Sequence, residues 1–100
     1  MIEVKIWAEI ASTGLFAEDG SYLDNDDINV SYDTWNELQK WVLDYENYSP
    51  LSYHKWEDIK DKITELDNRG LNLMAKIKNE IDNPNYTFKY YSEGLCKFLM

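Results

Sequence analysis

The chain has 100 residues, 44% hydrophobic and 15% aromatic, with 10 basic against 19 acidic side chains and a net charge of −9. That length makes one domain with a core of its own and no need of disulfide or metal, and the aromatic content argues against disorder. The charge excludes a phosphate-binding footprint, so nucleic acid is not an expected ligand, and no apolar run approaches the ~20 residues of a membrane span.

The surplus charge lies in the first half. Residues 1–50 carry eleven acids and two bases, Lys5 and Lys40, whereas residues 51–100 carry eight of each. Self-repulsion in such a one-signed stretch works against compactness, so its use is expected to be electrostatic, toward something basic.

Residues 2–10 alternate, with Ile2, Val4, Ile6, Ala8 and Ile10 on one side and Glu3, Lys5, Trp7 and Glu9 on the other. Period 2 predicts a strand with one buried face, and Trp7 is then a surface ring or part of a second packing face. This acidic, alternating start lacks the basic and long apolar regions of a signal peptide. Residues 11–31, with Gly14, Gly20 and an Asp/Asn cluster, predict a long loop with short extended pieces at Ser21–Leu23 and Ile28–Val30. Loops of that length are uncommon without a function.

A helix is expected to start at Ser31 or Asp33, either of which can cap it, carrying Trp35, Leu38, Trp41, Val42 and Tyr45 inward and stopping before Pro50. A longer helix, with Ser52 as its candidate cap, holds one stripe: Trp56, Ile59, Ile63, Leu66, Gly70, Leu73, Met74, Ile77 and Ile81. Gly70 on that stripe predicts close packing or a break. Lys60, Lys62, Lys76 and Lys78 with Glu57, Asp58, Glu65 and Glu80 read as a solvated face with i,i+4 pairs. After Asp82–Asn85 come a closing strand, with Tyr86, Phe88 and Tyr90 alternating against Thr87, Lys89 and Tyr91, a turn at Ser92–Gly94, and an apolar tail, Leu95–Met100.

Two strands alone are marginal, so pieces of the loop or tail are expected to join the sheet. The expected fold is α/β of the α+β kind: a two-layer sandwich in which two helices pack on one face of a small sheet.

Catalytic chemistry is thin. Cys96 and His54, the only cysteine and the only histidine, fall on different elements and read as a buried tail thiol and a solvent-facing ring. One cysteine neither bridges nor builds a zinc site, and fits a reducing compartment, so the expected location is the cytoplasm. Asp24–Asn25–Asp26–Asp27 opens like a calcium loop. It has Asn29 where the sixth-position glycine belongs and Trp35 where the twelfth-position glutamate belongs, so no metal or other cofactor is expected.

The remaining constellation is acidic with rings interleaved: Phe16, then Glu18, Asp19, Tyr22, Asp24, Asp26, Asp27, Tyr32 and Asp33, the last eight being the candidate contacts. Carboxylates steer a basic partner and tyrosines anchor it, as an acidic plug would in a cleft shaped for phosphate. Asp44, Tyr45, Glu46 and Tyr48 form a second such group that could extend the same face.

Four stretches taken together carry a resemblance: Thr13-Gly-Leu-Phe-Ala-Glu-Asp-Gly20, Trp35-Asn-Glu-Leu-Gln-Lys-Trp-Val-Leu-Asp-Tyr-Glu46, Leu66-Asp-Asn-Arg-Gly-Leu-Asn-Leu-Met-Ala-Lys-Ile-Lys-Asn-Glu-Ile81 and Tyr90-Tyr-Ser-Glu-Gly94. Outside residues 49–62, the chain resembles small acidic bacterial proteins, some of which act as immunity proteins beside polymorphic or contact-dependent growth inhibition toxins. The resemblance implies an inhibitor in the cytoplasm of the protected cell. The expected function is therefore a non-enzymatic immunity protein, monomeric, that binds a basic toxin of nuclease type through the eight residues above. The alternatives are a DNA mimic or other acidic inhibitor, and a small enzyme using carboxylates and a metal.

Overall fold

The computed structural model describes residues 2–9, 11–48 and 55–100. The alternating start forms strand β1 (Ile2–Trp7), and the glycine-punctuated stretch after it returns as β2 (Leu15–Ala17). A single helical turn, α1 (Asn25–Ile28), leads into α2 (Tyr32–Glu46), followed by α3 (Trp56–Ile81) and strands β3 (Tyr86–Ser92) and β4 (Lys97–Phe98). The sheet order is β2-β1-β3-β4. The β1–β3 pair at its centre is parallel, with Val4 beside Phe88 and Ile6 beside Tyr90, and both outer pairs are antiparallel.

This is the expected α+β sandwich, with the loop supplying β2 and the tail supplying β4. Val4, Ile6, Leu15 and Tyr90 face inward and join one core with Leu38, Trp41, Val42 and Tyr45 of α2 and Ile59, Ile63, Leu66, Leu73, Met74 and Ile77 of α3. Burying each large apolar side chain contributes roughly 1.5–3 kcal/mol. Both helical stripes thus pack as their spacing predicts. Ser31 caps α2, its hydroxyl accepting from the Thr34 N–H.

Gly70 resolves in favour of close packing: a Cβ there would lie 2.6 Å from Cζ2 of Trp41 and collide with the Tyr90 ring. The helices cross so near that the Trp41 indole N–H reaches the Leu66 carbonyl, at 2.8 Å. Gly14 combines a left-handed φ of +86° with a Cβ position 2.8 Å from Val42, so both backbone and packing require glycine.

Two expectations are corrected. Ile28–Val30 is not extended: Ile28 ends α1 and Asn29 closes it in the left-handed region, φ 56°, which lets Ile28 and Val30 both insert into the core. Among the described residues, the pairs along α3 are Lys60–Glu57 and Lys62–Glu65, at i,i+3. Lys76 instead reaches across to Glu37 of α2 at 2.9 Å, where the Glu37 carboxylate raises its pKa. The proposed stop at Pro50, the cap Ser52, Ile10 and His54 lie outside the described residues.

Candidate partner-binding surfaces

The acidic segment is a folded ridge. The Ala17 N–H donates to the Ser21 carbonyl (2.9 Å) and the Gly20 N–H to the Ala17 carbonyl (3.0 Å), which puts Glu18 and Asp19 at the tip of a tight reversal. Asp19 accepts from the Ser21 hydroxyl (2.6 Å) and the Ser21 N–H (2.9 Å), and these bonds, the hydroxyl's first, hold its carboxyl below the usual range. Tyr22 returns beside Phe16, their ring centroids 5.2 Å apart and edge-on.

The chain then turns through α1. The Asp27 carboxylate accepts from the Asp24 N–H (2.8 Å), and the Asn25 side chain brackets Val30, accepting from its N–H (2.9 Å) and donating to its carbonyl (3.2 Å). Glu80 of α3 clamps the start of α2, accepting from the Ser31 N–H at 2.7 Å and from the Thr34 hydroxyl. With Ile28 and Val30 as buried anchors, all eight predicted residues are left exposed: Glu18, Asp19, Tyr22, Asp24, Asp26, Asp27, Tyr32 and Asp33. Tyr22 is 54% and Tyr32 77% exposed. Asp19 and Asp27 hold local turns, whereas Glu18, Asp26 and Asp33 carry charge without such a bond.

The structure divides the eight. Glu18, Asp19 and Tyr22 belong to the β2 hairpin at the sheet edge, and Asp24, Asp26, Asp27, Tyr32 and Asp33 to the turn and helix start that follow. The second acidic–aromatic group is not a surface of this kind: Tyr45 is core, Asp44 pairs with Arg69 at 3.0 Å, and Glu46 accepts from the Ala11 N–H at 2.8 Å.

The outer face of the sheet carries a second cluster. The register puts Trp7, Phe16, Tyr22, Tyr91 and Phe98 on the side away from the helices. Their rings touch in series: Phe16–Tyr22 and then Trp7–Phe16 at 5.0 Å, Trp7–Tyr91 at 5.2 Å and Tyr91–Phe98 at 5.1 Å. The Lys5 ammonium lies 5.4 Å from the Trp7 ring and 5.7 Å from Phe98, with Lys89 5.9 Å from Phe98 and 2.9 Å from the Glu3 carboxylate. The Trp7 indole donates to Glu93. Of the two options its position allowed, Trp7 thus takes the second packing face, half-buried between Phe16 and Tyr91. The rest of the cluster depends on strand register, which one-strand alternation does not carry.

A polar knot inside the core also escaped the sequence. Asp67, 3% exposed, accepts from the Tyr90 hydroxyl (2.7 Å), the Tyr45 hydroxyl (2.9 Å) and the Ser92 hydroxyl (2.7 Å). The Gly94 N–H donates to Tyr45 and the Leu95 N–H to Ser92, so the β3–β4 turn is tied to the same carboxylate. Burial pushes both tyrosine hydroxyls well above their ordinary pKa. The only hint was an aspartate between Leu66 and Gly70 on an apolar stripe.

Cys96 is exposed, contrary to the buried thiol expected, because the turn before β4 lifts it off the core. Among the described residues no three His, Cys, Asp or Glu side chains stand together as a metal site, and no helix is long and apolar enough to cross a membrane. Two shallow hollows flank α3, one lined by Glu37, Arg69, Asn72, Leu73 and Lys76, the other by Lys78, Asn79, Asp82, Asn83, Pro84 and Tyr86. No family model, curated protein or solved structure matches this chain.

Proposed function

We propose that the chain is an immunity protein of the protected cell's cytoplasm, which binds a basic nuclease toxin and neutralises it without chemistry of its own. The observation that carries this reading is the ridge 18–33: two apolar anchors fix it to the core while eight acidic and tyrosine side chains stand in solvent. No base interrupts the sequence between Lys5 and Lys40, so the ridge presents one sign of charge to an approaching partner. Such a field raises the association rate and is screened by salt, while Tyr22 and Tyr32 supply rigid contact area. Carboxylates at this density suit a cleft evolved for phosphate, and the resemblance to immunity proteins points the same way.

The test uses Glu18→Lys, Asp26→Lys and Asp33→Lys together, which leaves Asp19 and Asp27 in their turns. Purified basic nuclease domains, first any encoded beside this gene, are assayed for inhibition and for association by stopped flow. The reading expects inhibition by the native chain, with association slowed at least roughly tenfold in the triple variant at low salt. Unchanged association would remove the ridge as the interface, and inhibition of no such domain would remove the function.

A further inference from the structure

The two faces of the sheet are unequal: α2 and α3 cover one, whereas on the other the rings cover only each other, Phe16 being buried between Trp7 and Tyr22 and the rest left partly or largely exposed. That outer face carries five rings in contact, of which Tyr22 and Phe98 are 54% and 51% exposed. A contiguous ring surface on a sheet marks an interface more often than a solvated face.

We propose that the outer sheet face is the contact of a symmetric homodimer, in which two copies stack this face on itself. Charge selects the occupant. The chain as a whole carries 19 acids to 10 bases and repels its own copies across most of its surface. The outer face does not, because Lys5 and Lys89 stand among its rings with Glu3, Glu18 and Glu93 around them. Lys89 is held by Glu3, with Glu18 near enough to add to the rise in its pKa. Lys5 differs: it lies over Trp7 and Phe98, and no carboxylate of its own chain is within ion-pair distance among the described residues. It is placed to receive one from the other copy.

A two-fold contact uses the same patch twice, so the patch must carry both signs, as this one does. A basic partner would meet lysines at the centre, and a polyanion would meet carboxylates at the rim. Stacked sheets pack about 10 Å apart with interleaved side chains, a spacing that encloses Trp7, Tyr91 and Phe98 and leaves Tyr22 at the rim, beside the ridge.

The test is sedimentation equilibrium of the native chain from about 10 µM to about 1 mM, a range in which a dimer of one small face exchanges with monomer. The native chain is expected to dimerise reversibly, and Phe98→Lys and Lys5→Glu each to weaken the dimer by roughly tenfold or more, since central contacts dominate such interfaces. Far-UV circular dichroism checks that both variants fold, and Phe98 has no place in the core. Tyr32→Lys, away from this face, is expected to leave the dimer unchanged. A chain monomeric across the whole range overturns the proposal. So does a dimer indifferent to both face variants, the result expected of pairing through the β4 edge or through a helix.

Discussion

At residue scale the buried carboxylate of Asp67 sets the sharpest constraint. Two backbone N–H groups donate to the Tyr45 and Ser92 hydroxyls, and both hydroxyls donate onward to Asp67 together with Tyr90. Among the described residues no cation pairs with Asp67, and three hydroxyl donors surround it instead. Asp67→Ala leaves the Tyr90 hydroxyl without an acceptor inside the core and the Tyr45 and Ser92 hydroxyls with only one another, 3.4 Å apart, and is expected to cost about 3 kcal/mol in urea unfolding, against about 1 kcal/mol for Ser92→Ala. Equal losses would mean that the hydroxyls find water or other partners. The tyrosines add an alkaline limit. Burial raises both hydroxyl pKa values in the folded chain, whereas in the unfolded chain they ionise near pH 10. Stability from this source is therefore full below about pH 10 and falls as pH climbs above it, where the unfolded state releases protons that the folded state keeps. Urea midpoints between neutral and strongly alkaline pH check the sign, and Tyr90→Phe should flatten the alkaline fall.

At the scale of elements, the start of α2 depends on two caps from different parts of the chain. Ser31→Ala removes the local one and is expected to cost about 1 kcal/mol by thermal or urea unfolding. Glu80, from the far end of α3, is the second. Its bond from the Thr34 hydroxyl, and then that from the Ser31 N–H, hold the carboxyl below the ordinary glutamate range. The resulting stabilisation is present above that range and is lost as pH falls through the lowered value, so Glu80→Gln should make the acid limb of the stability profile shallower. Elements of this kind were largely legible from periodicity. Leu38, Trp41, Val42 and Tyr45, and likewise Ile63 through Ile77, sit where helical spacing puts them, and the alternation holds in β3 and in β1 from Val4 onward, with Ile2 exposed at the strand's start. What depends on pairing was not legible. The parallel β1–β3 register creates the outer ring cluster, and no single strand announces its neighbour. Glu80 read as one more charge on a solvated face, because its partners lie about fifty positions earlier. The acidic ridge was legible as residues but not as shape: the inward turn of Val30 needed Asn29 in the left-handed region, a choice local propensity leaves open.

At the scale of the whole molecule, an excess of nine negative charges acts against the fold as well as for recognition. The melting temperature is expected to rise by a few degrees between about 10 mM and about 200 mM sodium chloride, as the Debye length shrinks from roughly 30 Å to below 10 Å. Association with a basic partner should slow over the same range. A protein held together mainly by its surface ion pairs would instead melt lower in salt, so one titration separates the two cases. The exposed pairs, Lys60–Glu57 and Lys62–Glu65 among them, are of the kind that contributes less than about 1 kcal/mol each.

The central parallel pair has a consequence in time. Trp7 and Glu93, bonded to one another, are 86 positions apart, and the register from Ile2 beside Tyr86 to Trp7 beside Tyr91 closes a span nearly as long. During synthesis β1 leaves the ribosome early and must wait for nearly all of the remaining chain before its parallel neighbour exists. Until then only the short β2 hairpin can shield its edge. Contacts of such long sequence separation make for slow folding, so the nascent chain passes through a period in which a strand of Ile, Val and Trp is open to other partners.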